Sequence, residues 1–501
     1  MKRHLPDSVY NPITLCGAVL ALGTLGLIGF LFLLELLGEQ QHPYMGLITF
    51  CVLPVFLIFG LVLVGIGIIR ESRRRAAGKV SRLHWPHIDL NDRRSRNALM
   101  VTAVGSFVFL MASAFGSYKA YEHTESVQFC GKVCHNVMKP EYTAYQASPH
   151  ARVTCVQCHI GSGADWFVRS KLSGSYQVYS VLFNKYRRPI ETPIANLRPA
   201  RETCEQCHWP KHFYSAKMQG KSYYLSDEHN TPSKAGLLMR IGGGDPAHGA
   251  TEGIHFHMYI ANSISYVARD RQRLDIPYVE SRAPDGKVTV YRTTDNPPTD
   301  DEVRRMKKHT VDCIDCHNRP THVFRNPAQS VNGALAQNWM NPALPQVKRL
   351  CVEMLEKPYK TEAEALRQIA GGIEGFYQAQ YPQVYAAQRK DVDDAVKQTQ
   401  RIYSLNYFPE MRVSWKAFPD HIGHMYAPGC FRCHDGKHVS STGKTLTNDC
   451  NTCHTILSQK SGNDKATVSL TGQPFRHPGN VGDAWKMMPC SDNACHGAQR
   501  P

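Results

Sequence analysis

Fourteen of the 17 cysteines stand in pairs, and a histidine directly follows the second cysteine of every pair. Two cysteines separated by two residues can form thioether bonds with the two vinyl groups of one haem, and the adjacent imidazole can then bind the iron. One such match could arise by chance, whereas five in one chain indicate haem attachment. The five motifs are Cys155/Cys158/His159, Cys204/Cys207/His208, Cys313/Cys316/His317, Cys430/Cys433/His434 and Cys450/Cys453/His454.

Two longer pairs complete the set. They are Cys130/Cys134/His135, with three intervening residues, and Cys490/Cys495/His496, with four. A bulged turn would still let both thiols reach one haem. Zinc would need two pairs, or one pair and two more histidines, around a single ion, and it would leave the adjacent histidines unexplained. The sequence therefore predicts seven covalently bound haem c groups.

The formal charge of +16 agrees with this count. Seven haems would add about fourteen propionate groups, whose negative charge offsets most of the excess of Lys and Arg. Much of the remaining positive charge lies in one short loop between two apolar segments. We therefore expect no nucleic-acid partner.

Three apolar segments, residues 13–34, 44–69 and 98–118, precede the first haem motif. Each reaches the roughly 20 residues that a membrane-spanning helix needs. The first segment is longer than the apolar part of a cleaved signal peptide, which has about 7 to 15 residues, and no small-residue cleavage site follows it. The sequence therefore predicts three retained transmembrane helices.

The distribution of basic residues predicts the orientation of these helices. The loop after the second segment is rich in Lys and Arg, whereas residues 38–43 contain neither. Since positive residues concentrate in cytoplasmic loops, this loop and the N-terminus should lie in the cytoplasm, and the haem motifs on the periplasmic side of the inner membrane. Contact with lipid headgroups is sufficient to explain why this loop is rich in basic residues. Its basic residues are Arg70, Arg73, Arg74, Arg75, Lys79, Arg82, Arg93, Arg94 and Arg96.

The second axial ligand of each iron must come from elsewhere in the chain. Four histidines lie within six residues of a motif and could each reach a neighbouring iron if the haems pack closely. They are His150, His322, His424 and His438.

Residues 129–322 resemble the NapC/NirT/NrfH family of membrane-anchored quinol dehydrogenases. The shared features are an unusual first haem motif followed by Met138, the sequence Ser-Pro-His that ends at His150, and the segment CIDCHNRPTH that ends at His322. The resemblance implies that Met138 is an axial ligand of the first haem. It implies further that Lys171 lies near the third haem and the quinol pocket.

The resemblance also implies two pairings between histidines and haems. His150 would bind the haem of the Cys313 motif, and His322 would bind the haem of the Cys155 motif. The wider plan, three helices followed by seven haems, resembles inner-membrane cytochromes of metal-respiring bacteria.

Three features depart from the four-haem family. This chain has three apolar segments where those members usually have one, and Met138 stands one residue further from the second cysteine than usual. No acid occupies the position of the family's pocket carboxylate, near Val178. The candidates for the missing proton acceptor are Glu141, Asp165, Glu35 and Glu39.

Residues 209–310 form an insertion between the third and fourth motifs, with strand-like and turn-rich sequence. His255 and His257 alternate along one strand-like run, and either could replace Lys171 at the third haem. His212 is a further candidate.

Residues 345–404 are rich in helix-forming residues and predict a structural spacer of two helices separated by Gly371 and Gly372. The last three haems should then form a compact cluster. Its candidate distal ligands are His421, His424, His438 and His477.

We expect a multihaem cytochrome c fold in which three N-terminal transmembrane helices precede a mainly α-helical or irregular periplasmic haem domain with little β-sheet. The predicted divisions are a membrane anchor (1–118), a four-haem domain (119–325) with the insertion, a helical spacer (326–420) and a three-haem cluster (421–501).

The predicted function is oxidation of menaquinol at the outer face of the membrane, with Lys171, Met138 and Glu141 at the reaction site. Electrons would pass along the haems to periplasmic multihaem cytochromes, in extracellular or anaerobic respiration. Other expected partners are membrane lipid, the quinone pool, and a second copy or other respiratory subunits. One alternative is an anchor subunit that docks a dedicated periplasmic reductase. A terminal reductase is a second alternative, and it would need one haem with an open axial position.

Overall fold

The computed structural model describes residues 7–9, 11–37, 53–78, 90–133, 135–161, 164–194, 197–209, 212–213, 215–242, 253–258 and 263–496. It forms two compact units. The first comprises Met1–Ser126 and His159–Tyr176, and the second Val127–Cys158 and Gln177–Pro501.

The first unit contains three helices long and apolar enough to cross a membrane, as the sequence predicts. They are α1 (Pro12–Leu37), α2 (Leu53–Ala76) and α3 (Arg93–Thr124). Helices α1 and α2 pack together through glycines, because the absence of a side chain lets two backbones approach closely. A Cβ atom added at Gly60 would lie 2.8 Å from the Ala21 nitrogen and 2.9 Å from the Gly17 oxygen.

Replacing Gly60 by Leu should therefore separate α1 from α2 and lower the stability of the membrane hairpin by about 1–3 kcal/mol, the usual cost of overpacking. Thermal unfolding of the detergent-solubilised protein would measure the loss. Gly65 is the matched control, since a Cβ added there meets nothing within 4 Å. Equal melting temperatures for Gly60→Leu and Gly65→Leu would contradict the close packing.

The second unit carries its haem motifs on short elements separated by loops. Its helices before the spacer are a π-turn at Phe129–Val133, α4 (His135–Gln146), α5 (Cys155–His159), α6 (Ala164–Leu182, which begins in the first unit), α7 (Ala200–Cys204), α8 (Asp300–Arg305) and α9 (Cys313–Cys316). Short 3-10 turns hold two of the later motifs, at Gly429–Arg432 and Cys450–Thr452. This arrangement confirms the predicted mainly helical and irregular haem domain.

The spacer is a helical bundle with the largest apolar core among the described residues, and it contains no haem motif. Its helices are α10 (Pro327–Ala336), α11 (Val347–Glu356), α12 (Glu362–Gln380), α13 (Pro382–Ala387) and α14 (Arg389–Asn406). The prediction that Gly371 and Gly372 separate two helices is wrong, because α12 continues through both. Met354 packs on the backbone of Gly372. A Cβ atom added at Gly372 would lie 2.6 Å from the Met354 sulfur. Tertiary packing thus outweighs the low helix propensity of glycine.

Two small antiparallel sheets join the insertion to the C-terminal segment. The first has the strand order β1-β2-β8-β9 and the second β6-β3-β4-β5-β7. The strands are β1 (Lys217–Tyr224), β2 (Pro232–Met239), β3 (Ser263–Val267), β4 (Tyr278–Arg282), β5 (Val288–Thr293), β6 (Lys308–Thr310), β7 (His438–Ser440), β8 (His454–Ser461) and β9 (Thr467–Val468).

Their registers hold the C-terminal segment against the insertion. Met239 in β2 pairs with His454 in β8, and Thr293 in β5 pairs with His438 in β7. The domain boundaries drawn from the sequence stay a prediction, but the insertion and the C-terminal segment share both sheets.

Candidate haem sites

Thiols of successive motifs lie beside one another in the second unit. A hydrogen bond with Cys130 lowers the pKa of Cys155 to about 7. Burial, and then the nearby Cys204, raise the pKa of Cys158. A hydrogen bond with Cys313 lowers the pKa of Cys204. The first four motifs therefore follow one another in space as they do in the sequence.

The later motifs continue this row. Burial, with Cys430 nearby, raises the pKa of Cys316 to about 11, and the same two causes raise the pKa of Cys453 to about 11. Burial also raises the pKa of Cys490, which lies near Cys450. Haems attached to these thiols would thus form a continuous row from the first motif to the seventh.

Cys207 and Cys495, the second cysteines of the third and seventh motifs, differ from the first cysteines of the same motifs. Both side chains are exposed, whereas Cys204 and Cys490 are half-buried. Both residues end tight turns: the Cys207 amide donates to the Cys204 carbonyl oxygen at 3.1 Å, and the Cys495 amide to that of Asp492 at 3.0 Å. The polypeptide thus does not enclose these two predicted haem-binding thiols. Haem attachment at Cys207 and Cys495 stays a prediction from the motifs.

Four motif histidines each lie opposite a histidine from another part of the chain. Two imidazoles on opposite sides of one iron have ring centres about 6 Å apart, because each coordinating nitrogen lies about 2 Å from the metal. The observed separations match this value. They are 6.1 Å for His208 and His150, 5.9 Å for His434 and His257, 6.2 Å for His454 and His424, and 6.1 Å for His496 and His477.

The orientation of these rings also suits iron. The Nδ1 atoms of His257 and His434 lie 2.8 and 3.2 Å from backbone carbonyl oxygens. A ring that donates from Nδ1 to a carbonyl presents Nε2 as its free metal ligand, which is the usual arrangement of a ligating histidine.

The pocket around His424 and His454 gives independent support. The buried Nδ1 atoms of both rings have no hydrogen-bond partner within the described ranges. Because buried polar atoms are rarely left in this state, the polypeptide alone does not complete the pocket. The residues present therefore fit a prosthetic group at these motifs.

The structure places His150 beside His208, whereas the resemblance paired it with the haem of the Cys313 motif. The Tyr145 hydroxyl donates to the Ala151 carbonyl oxygen at 2.7 Å and closes the turn that carries His150. The His150 Nδ1 atom lies 3.4 Å from the Pro320 oxygen. This turn holds the His150 ring opposite that of His208 in the third motif.

The two histidines of the insertion lie near other motifs. His257 lies opposite His434 of the fifth motif. Burial lowers the pKa of His255, and the nearby His317 contributes to this shift, so His255 is close to the fourth motif. The suggestion that either residue binds the third haem is not supported. The third candidate, His212, is exposed, and His150 already lies opposite the third motif.

Glu141 is held in an ion-pair cluster. Its carboxylate accepts two hydrogen bonds from the Arg319 guanidinium, at 2.9 and 3.0 Å, and lies 3.1 Å from His322 Nδ1. Its backbone oxygen lies 3.0 Å from the same ring nitrogen. A carboxylate in this position fixes the orientation of the histidine ring. The Glu141 carboxylate thus positions the His322 ring, and its role as a proton acceptor stays a prediction.

Lys171 forms an ion pair that the sequence analysis missed. Its Nζ atom lies 3.1 Å from Glu125 Oε1, and the Glu125 side chain is only 14% exposed. Glu125 is the C-cap residue of α3. A carboxylate at the end of the last membrane helix, five residues before Cys130, was the available signal.

His438 is excluded as an iron ligand by its hydrogen bonds. Its Nδ1 lies 2.8 Å from Asp435 Oδ1 and its Nε2 lies 2.7 Å from the Ile276 oxygen, and the residue is 2% exposed. Both ring nitrogens are therefore occupied, so the prediction for His438 is wrong. His421 is likewise buried, with Nδ1 3.1 Å from the Asp315 oxygen.

Met138 lies half-buried in α4. Cys134 and the side chain of His135, which belong to the first motif, lie outside the described residues. The same holds for Glu39 and for the side chains of Glu35 and Asp165.

The membrane helices and the repeated Cys-Cys-His motifs define a membrane-anchored cytochrome c. The chain belongs to the NapC/NirT cytochrome c family. The model of the N-terminal region of that family matches residues 92–191. Covalently bound haem, electron transport and a place in the inner membrane follow from this membership, and the predicted resemblance is confirmed.

Two curated relatives span different shares of the chain. It is 43% identical over 495 residues to the cytochrome c-type protein ImcH of Geobacter sulfurreducens, which covers 99% of this chain and 96% of that protein. It is 28% identical over 109 residues to the cytochrome c-type protein NrfH of Wolinella succinogenes, which covers 21% of this chain and 59% of that protein. No solved structure matches the chain.

Proposed function

We propose that this protein is a heptahaem cytochrome that oxidises menaquinol at the periplasmic face of the inner membrane and passes the electrons to periplasmic cytochromes. The observation that carries the proposal is the row of motif thiols, in which each motif lies beside the next. Such a row allows electrons that enter at the first haem to reach the seventh. Haem chemistry supplies the electron transfer, and the protein sets the order and the ligands.

The ion pair of Glu125 and Lys171 supports quinol oxidation near the first motif. Oxidation of one menaquinol to menaquinone releases two protons and two electrons. Glu125 accepts a quinol proton as a general base, and the Lys171 ammonium donates a hydrogen bond to the quinol oxygen. Glu125 and Cys130 are five positions apart, which limits their separation to about 17 Å even in a fully extended chain.

Helix α6, which carries Lys171, has an apolar stripe suited to the membrane interface. Val168, Leu172, Tyr176 and Tyr179 recur at helical spacing and are 42–69% exposed. Tyrosine and aliphatic side chains beside basic residues favour the boundary between headgroups and acyl chains. Lys171 would thus meet the headgroup of a quinol that approaches from the bilayer.

Glu125→Gln should slow the reduction of the haems by a menaquinol analogue about 100-fold or more, because the general base is lost. Stopped-flow absorption of the purified protein in lipid nanodiscs measures the rate from the reduced haem bands. Lys171→Ala should also slow the reaction.

The control uses a second ion pair on α3, where Lys119 Nζ lies 2.6 Å from Glu122. Glu122→Gln should leave the rate unchanged, and dithionite should reduce all variants fully. Failure of the unaltered protein to accept electrons from menaquinol would remove the quinol assignment. A normal rate in Glu125→Gln would place the proton acceptor elsewhere.

A further inference from the structure

We propose that each of the last three haems is held between two imidazoles, so that none of them has an open coordination position. The distal ligands are His257 opposite His434, His424 opposite His454, and His477 opposite His496. These sites lie outside residues 92–191, which the family model matches. The assignment requires haem at these motifs but does not depend on the identity of the electron donor.

His257 comes from the insertion and completes a haem site in the C-terminal segment. It lies in the 3-10 turn Ile254–Met258, and its Nδ1 atom is 2.8 Å from the Ile254 oxygen. The ring centre is 5.9 Å from that of His434, and the ring planes are at 89°. The pairing of β5 with β7 holds the insertion beside the fifth motif. The insertion therefore has a definite role, to supply an axial ligand across the fold.

His424 is positioned by an aromatic stack. Its ring lies 4.5 Å from the Phe431 ring at an interplanar angle of 16°, which fixes the plane of the imidazole. The His454 ring is 6.2 Å away, and its plane also differs by 16°. His454 begins β8 and is held there by its pairing with Met239. Both histidines are thus fixed in orientation before any iron is considered.

His477 presents a single nitrogen. Its Nδ1 atom contacts the backbone of Gly479, 3.0 Å from the carbonyl oxygen and 3.1 Å from the amide nitrogen. The ring centre lies 6.1 Å from that of His496, with the planes at 26°. Because the backbone occupies the Nδ1 side, Nε2 is the atom left for iron.

The angles between ring planes distinguish the three sites spectroscopically. Perpendicular imidazoles leave two iron d orbitals nearly equal in energy, which gives a ferric low-spin signal with a very large principal g value. Near-parallel imidazoles split these orbitals and give a rhombic signal. We expect the large-g type at the fifth haem, from the 89° pair, and the rhombic type at the sixth and seventh, from the 16° and 26° pairs.

The test replaces each distal histidine by alanine in the full-length holoprotein. After dithionite reduction, His257→Ala, His424→Ala and His477→Ala should each bind one more carbon monoxide per protein than the unaltered chain, since one iron loses a ligand. Electron paramagnetic resonance of the oxidised proteins should show loss of a large-g signal in His257→Ala and of a rhombic signal in the other two. His438→Ala is the matched control and should change neither measurement, because both His438 nitrogens contact protein oxygens.

Three results would overturn the assignment. They are unchanged carbon monoxide binding in the alanine variants, a new binding site in His438→Ala, or an oxidised unaltered protein without any large-g signal. The last needs no variant, so it remains decisive if a variant fails to mature. Since dithionite supplies the electrons, a failure of quinol oxidation would leave all three measurements interpretable.

Discussion

Replacing Arg319 by Met is expected to lower the free energy of unfolding of the haem domain by about 3–5 kcal/mol, the usual loss when one partner of a buried ion pair is removed. The Arg319 and Glu141 side chains are 8% and 17% exposed. The substitution leaves the Glu141 carboxylate in this buried place without its cation. It also removes the hydrogen bond from Arg319 Nε to the His322 carbonyl oxygen, 2.5 Å long.

Aromatic contacts increase the expected loss. The Arg319 guanidinium lies 4.2 Å from the centre of the Phe418 ring and 5.0 Å from that of Phe324. A desolvated cation over an aromatic face contributes about 2 kcal/mol. Methionine can fill part of the space but carries no charge, so both ring contacts lose their electrostatic part.

Urea unfolding in detergent, followed by circular dichroism of the haem bands, would measure the loss. Arg325→Met is the matched control, because the Arg325 side chain is exposed and only its backbone nitrogen donates to Asn406. The double variant Arg319→Met/Glu141→Gln should recover part of the stability, since it removes the unpaired charge. If Arg319→Met and Arg325→Met unfold at the same urea concentration, the buried pair of Arg319 and Glu141 does not stabilise the domain.

Asp315→Asn is expected to cost about 3 kcal/mol and to raise the midpoint potential of the haem at the fourth motif. Asp315 lies between Cys313 and Cys316, and its side chain is 6% exposed. The carboxylate accepts hydrogen bonds from the Tyr266 hydroxyl at 2.5 Å and from the Arg273 guanidinium. Asparagine leaves that guanidinium unpaired, and loss of a negative charge beside a haem favours the reduced state.

The same residue caps its own helix. Its second carboxylate oxygen accepts the Asp312 backbone N–H at 2.7 Å, which completes the capping box of α9. A redox titration would report the potential, and urea unfolding the stability. Asp301→Asn, on the exposed face of α8, should change neither quantity. A shifted potential with unaltered stability would mean that Asp315 acts on the haem through its charge alone.

The sequence was sufficient for features set by local spacing and long apolar runs. The haem motifs and the three membrane helices need no knowledge of the fold, because thioether attachment and membrane thickness fix their patterns. The sequence alone could not predict which histidines lie opposite each other. His257 and His434 are 177 positions apart, and only strand pairing and turns bring such residues together.

The sequence was a poor guide where tertiary contacts determine what a side chain can bind. His438 is close to a motif in sequence, but Asp435 and the Ile276 carbonyl occupy its nitrogens. Glu141 is an acid near the first motif, but Arg319 and His322 surround it. Glu125 was missed because its partner Lys171 is 46 residues away.

The spacing of a motif also says nothing about how deeply each thiol lies. Cys207 and Cys495 satisfy the motif pattern as well as their partners do, yet both are exposed. Burial depends on which segments pack over a turn, and those segments are distant in the sequence.

The sharing of sheets between the insertion and the C-terminal segment has a consequence for biogenesis. Strands β8 and β7 cover the edges of β2 and β5, and both arrive late in translation. Until they do, or in a chain shortened to residue 420, β2 and β5 would present unpaired N–H and C=O groups to other molecules. These edges therefore stay exposed to pairing with other chains until the C-terminal segment has been made and folded.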